Sequence, residues 1–283
     1  MDNFIRFLRL PVVQLILAFL LSFATVAIFA VLDLSTEPKL SPILTRMIGS
    51  LLAVGVILLL GRTLQGKALE ETGISPRGAL PQVAQGVLVG AVIVGLVAGL
   101  MALAGWYKVA EINFDAFAIG RGLTLFFFVA LFEELLFRGI LFWQLDNVFG
   151  SWLALVFSSA LFGATHLGNP GATVWSTLTL AVSAGTCLGG AYLMTRNVWA
   201  AVGLHWAWNF LLGPIFGFAV SGHDTYSLLT ASINGPELWT GGAFGPEAGL
   251  PVLIFGALAS IAMLWVAARR KRLSPPSWSR RQE

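Results

Sequence analysis

The chain has 283 residues, of which 57% are hydrophobic and 11% charged, with a mean hydropathy of +0.83. Soluble domains carry about 25% charged residues, so this composition excludes an ordinary soluble protein, and its long apolar blocks are those of a polytopic membrane protein. The net charge of +3 comes largely from Arg269, Arg270, Lys271, Arg272, Arg280 and Arg281 after the last apolar run; a basic flank of this kind reads as a cytoplasmic topology signal in contact with lipid and not as a nucleic-acid site.

In chain order, apolar runs predict helices near 9–31, 43–61, 83–104, 122–145, 151–168, 174–194, 198–216 and 249–268. Each approaches the roughly 20 residues that cross a hydrocarbon core. The expected fold class is therefore all-α, an integral membrane bundle of about eight transmembrane helices. The first run follows Arg6 and Arg9 and exceeds the h-region of a secretory signal, about 7–15 residues, so it reads as a retained span. Arg46, near the outer end of the second run, is expected to snorkel to the interface. The polar stretch 62–82 reads as a loop with a short surface helix around Ala68-Leu69-Glu70-Glu71.

The orientation follows from Lys and Arg. With the N-terminus inside, the inner segments carry Arg6, Arg9, Arg62, Lys67, Arg77, Arg196 and the tail, and the outer ones only Lys39, Lys108 and Arg121. Both termini are expected in the cytoplasm, in a bacterial inner membrane. Cys187 is the single cysteine, so there is no intrachain disulfide and it reads as a small buried hydrophobe. Gly185-x-x-x-Gly189 is a small-residue pattern for close helix contact inside the bundle. The Gly-rich loop 217–248 contains His223-Asp224, expected to be solvated.

Charge inside the apolar runs points to chemistry. The fourth run holds Glu133-Glu134-x-x-x-Arg138, and an ionised side chain at the bilayer centre costs about 2.5 kcal/mol or more. Residues four apart on a helix are neighbours, so Glu134 and Arg138 can pair, while Glu133 is turned about 100° away. One carboxylate can thus brace the arginine and the other face a cavity as a general base or acid. The fifth run ends in Phe162-x-x-x-His166 and the seventh carries His205-x-x-x-Asn209. An imidazole and a carboxamide on one apolar face need polar partners, either interhelical hydrogen bonds or a developing oxyanion. Glu133 with His166 and His205 could activate a water directly or through a divalent metal such as zinc, though the spacing is not His-Glu-x-x-His.

These three motifs on successive helices resemble the CPBP family of intramembrane proteases, which includes type II CAAX prenyl endopeptidases and bacteriocin-processing relatives. The resemblance covers about 120–215 and divides the chain into N-terminal helices over 1–119, a catalytic core over 120–216, and an outer loop, last helix and basic tail over 217–283. It implies that Glu133 activates the water, that His166 helps bind it, and that His205 and Asn209 position it or stabilise the oxyanion. Glu134 and Arg138 would orient the site. The implied substrate is a membrane-associated, lipidated or unlipidated, peptide or protein. A proton-coupled transporter, or a non-catalytic scaffold or immunity protein, could use the same residues. One tension is built into these helix ends: at 1.5 Å per residue they put Glu133, His166 and His205 at depths of about 18, 22 and 10 Å.

Overall fold

The computed structural model describes residues 7, 8, 10–35, 41–68 and 71–279. Arg6, Arg9, Lys39, Arg280 and Arg281 of the charge count, and Leu69 and Glu70 of the expected surface helix, lie outside the described residues. Helix α1 is Pro11–Ser35, and α2 is Pro42–Leu58, extended by a π-helical stretch Leu59–Leu64. Ala79–Leu103 is α3 and Ala116–Glu134 is α4. A π stretch Leu135–Phe142 carries α4 directly into α5, Trp143–Ala164. Val174–Leu180 is α6, and the π turn Ala181–Gly185 joins it to α7, Thr186–Thr195. Trp199–Phe210 is α8, followed by a π turn Leu211–Ile215; Glu237–Thr240 is the short α9, and Leu250–Arg269 is α10.

Among the described residues, four helical spans, Pro42–Arg62, Ala79–Leu103, Val174–Thr195 and Leu250–Arg269, are long and apolar enough to cross a membrane. The architecture is that of a mostly helical, polytopic integral membrane protein. One expectation needs correcting, because the chain is not purely α. Strand β1, Tyr107–Ile112, pairs antiparallel with β2, Leu229–Ile233, from Tyr107↔Ile233 to Ile112↔Leu229 with a bulge between Val109 and Glu111. The Tyr107 hydroxyl donates to the Phe216 carbonyl at 2.8 Å and fastens this ribbon to the end of α8.

Local chemistry explains the starts of three helices. Pro42 sits in the first turn of α2, where its missing N–H is harmless. Asp115 caps α4 by accepting from the Phe117 and Ala118 N–H groups. Thr173 and Ser176 form a reciprocal capping box on α6. The boundary expected between the fourth and fifth helices is a kink at a single residue. Gly150 has φ 77° and ψ 170°, a region open to glycine almost alone. A side chain there would also collide with Ser274 and Pro275 of the C-terminal tail. The kink is held by Asp146, which accepts from the Ser151 hydroxyl at 2.6 Å and from Arg196 Nη1 at 2.8 Å.

Helices α3 and α8 make the closest contact of the bundle. A Cβ on Gly86 would strike the Ala200 carbonyl, one on Gly90 would lie 2.7 Å from the Leu204 carbonyl, and one on Gly203 would strike the Val83 backbone. Small residues let the two backbones touch, and this contact sets the position of the helix that bears His205. Gly185 and Gly189 do the same for α7 against α5, where added Cβ atoms would meet Ser159 and Leu155. Cys187 between them is fully buried.

Candidate active site

Glu134 and Arg138 are both 0% exposed. Glu134 Oε1 accepts from Arg138 Nη1 at 3.0 Å and from His205 Nδ1 at 2.9 Å. Arg138 Nη2 donates to the Gly185 carbonyl at 3.0 Å, at the end of the π turn between α6 and α7. One carboxylate thus gathers α4, α8 and, through the guanidinium, the α6–α7 helix. Glu134 Oε2 and Arg138 Nε have no hydrogen-bond partner among the described residues. The sequence pairs Glu134 with Arg138 alone; the bond to His205 joins residues far apart in the chain and has no local signature.

Glu133, one residue away, points elsewhere. Its side chain is 20% exposed and lines a cavity of about 540 Å³ together with His166, His205 and Asn209. His205 Nε2 faces Glu133 Oε2 at 3.9 Å. A carboxylate only accepts, so His205 Nδ1 bears the proton toward Glu134 and Nε2 is the nitrogen turned to the cavity. The same reasoning applies to His166, whose Nδ1 meets the Phe162 carbonyl at 2.8 Å, which leaves Nε2 as its second polar atom. Asn209 lines the cavity one turn beyond His205.

Phe162 serves this group more widely than its spacing to His166 indicates. The Arg138 guanidinium lies 4.9 Å from its ring centroid, and the His166 and His205 rings lie 5.0 and 5.9 Å away. An aromatic face offers a desolvated cation a favourable neighbour. Arg46 lines the cavity as well, with its guanidinium 5.6 Å from the Phe132 centroid. His223 and Asp224 are exposed, as expected of that loop, and they also line the cavity. The sequence reading also missed Glu247, which carries no local signal beyond being a charge beside an apolar helix.

The depth difference expected between Glu133 and His205 is not present: their side chains approach to 3.9 Å, and His166 lines the same cavity.

Among the described residues no group of three or more His, Cys, Asp and Glu side chains is arranged to hold a metal ion. Glu133 and His205 approach to 3.9 Å, but with His166 they do not make up the three-ligand set expected from the sequence.

No curated protein and no solved structure matches the chain. Residues 115–211 match the family model described as type II CAAX prenyl endopeptidase Rce1-like. That stretch begins at the cap of α4, ends just past Asn209, and contains every side chain of the cluster built around Glu134. The chain therefore carries an Rce1-like type II CAAX prenyl endopeptidase domain, the domain of a family of hydrolases.

Proposed function

We propose that this protein is an intramembrane endopeptidase that cleaves a membrane-associated peptide or protein with a glutamate-activated water. The observation that carries the reading is the division of labour between adjacent carboxylates. Glu134 is fully buried and bonded to Arg138 and His205, whereas Glu133 faces the cavity 3.9 Å from His205 Nε2. A water within hydrogen-bond reach of both Glu133 and His205 fits this gap.

In the mechanism, Glu133 takes a proton from the water as its oxygen attacks the amide carbonyl. His205 Nε2, left as an acceptor because Nδ1 donates to Glu134, accepts the water's second hydrogen and orients it, while His166 lines the same cavity. The amide N–H of Asn209 donates to the oxyanion as charge develops there, a contribution that grows only in the transition state. Glu133 then returns its proton to the leaving nitrogen as the C–N bond breaks. Glu134 and Arg138 act through His205: they hold the ring and its tautomer.

We further propose that all eight long helices cross the membrane with both termini on the cytoplasmic side, and that 120–216 forms the catalytic core. The arginine-rich tail beyond α10 supports that orientation. The cavity opens among apolar side chains such as Leu125, Phe126 and Leu136, which suits a substrate delivered from lipid. The test compares new protein termini in membranes of cells expressing wild type or Glu133→Gln at matched levels. Termini found only with wild type support the reading. An unchanged set of termini, with both proteins folded, sinks it, and a biological effect retained by Glu133→Ala would favour a scaffold.

A further inference from the structure

The segment between α8 and α10 lacks any Lys or Arg and reads as a loop. Yet Val220, Ser221, Asp224 and Thr225 line the cavity. Ser221 has φ 47°, a left-handed conformation disfavoured for a residue with a Cβ and kept only where its surroundings over-determine it. Here they do. The Ser221 N–H and hydroxyl both donate to Glu247 Oε2, the hydroxyl at 2.9 Å. Asn169 Nδ2 donates to the Ser221 carbonyl at 2.9 Å, and the next residue, Gly222, donates its N–H to the Phe244 carbonyl at 2.8 Å.

Glu247 is 2% exposed, and its other oxygen, Oε1, accepts from Trp208 Nε1 at 3.0 Å. Trp208 lies on α8 between His205 and Asn209, and Asn169 lies in the turn that follows His166. A single buried carboxylate therefore joins the loop over the cavity to the helix bearing two site residues. The same loop residue is tied to the turn bearing a third. An ionised carboxylate is acceptor-only, which suits one indole N–H, one backbone N–H and one hydroxyl. A glutamine could serve Trp208 through its carbonyl, but its NH₂ would then confront the Ser221 N–H, which can only donate.

We propose that Glu247 is a positioning residue that latches residues 220–225 as a cap over the cavity, excluding water and shaping the space for substrate. The proposal rests on the peptidase reading for its kinetic consequence but not for its structural one. Its two bonds separate by mutation. Glu247→Gln breaks the Ser221 latch, while Trp208→Phe breaks only the link to α8.

The experiment places a reporter thiol on the cavity wall by Ala184→Cys in a Cys187→Ala background and follows its labelling by a membrane-impermeant maleimide in the purified full chain. Glu247→Gln is expected to speed labelling roughly tenfold, the factor that loss of one charge-assisted hydrogen bond supplies, and Trp208→Phe to leave it unchanged. With a verified substrate, Glu247→Gln raises KM more than it lowers kcat, and Trp208→Phe does the reverse. Asn169→Ala, in the turn after α5, loosens the cap from its other side and gives a smaller rise in labelling even if Glu247→Gln does not fold. Labelling at the wild-type rate in the folded latch variants overturns the latch whatever the protein cleaves. Faster labelling with no cleavage by any version leaves the latch standing and refutes the peptidase reading instead.

Discussion

Replacing Arg138 by methionine isolates the energetics of the buried cluster. Methionine keeps a long apolar stem against Phe137 and Phe162, whose rings lie 5.8 and 4.9 Å from the guanidinium, so little packing is lost. What disappears is the cation that faces Glu134 at 3.0 Å with neither side chain exposed. Glu134 is left as a buried carboxylate with only the His205 bond, and the Gly185 carbonyl loses its Arg138 donor. Breaking a buried pair in this way costs about 3–5 kcal/mol. At about 2–4 °C per kcal/mol, that lowers the melting temperature in detergent by roughly 6–20 °C. The diagnostic step is the double variant Glu134→Gln with Arg138→Met. The glutamine that replaces Glu134 can still accept from His205 Nδ1 through its side-chain carbonyl, and no uncompensated charge remains. The double variant should recover at least half of the lost melting temperature. If Arg138→Met alone melts within about 2 °C of wild type, or if the second substitution deepens the loss, then Glu134 and Arg138 are not coupled as argued.

The neighbouring carboxylate should behave in the opposite way. Glu133→Gln should lower turnover of a verified substrate by about 10²–10⁴ while its thermal melt overlays wild type, because the side chain faces the cavity and does not brace the bundle. Asn209→Ala should lower kcat by about 10²–10³ with little change in KM, and an effect confined to KM would remove it from the oxyanion role. Gly86→Leu should destabilise by at least about 1–3 kcal/mol, measured by thermal unfolding, because its Cβ would run into the Ala200 carbonyl and lie 2.6 Å from Leu204 N. A wild-type melt for that variant would contradict the close packing of α3 on α8.

Composition and local spacing alone determine a good deal of this protein. A chain so poor in charge and so rich in long apolar runs must satisfy its backbone within helices, and the eight expected runs correspond to the eight long helical segments among the described residues. Spacing of four also makes Glu134 and Arg138 neighbours and turns Glu133 away, because helical geometry is a property of adjacent residues. Other features depend on contacts that no window of sequence contains. The antiparallel pairing of β1 with β2 joins segments on either side of the core, so Tyr107–Ile112 reads as a short linker until its partner is seen. The π stretch after Glu134 is a change of backbone hydrogen-bond register that hydropathy does not record. Glu134 bonding to His205, Arg46 facing the cavity and Glu247 holding the loop above it were likewise decided by packing. A buried polar group must be satisfied, and the sequence by itself states that requirement, whereas only the tertiary structure decides which distant group meets it.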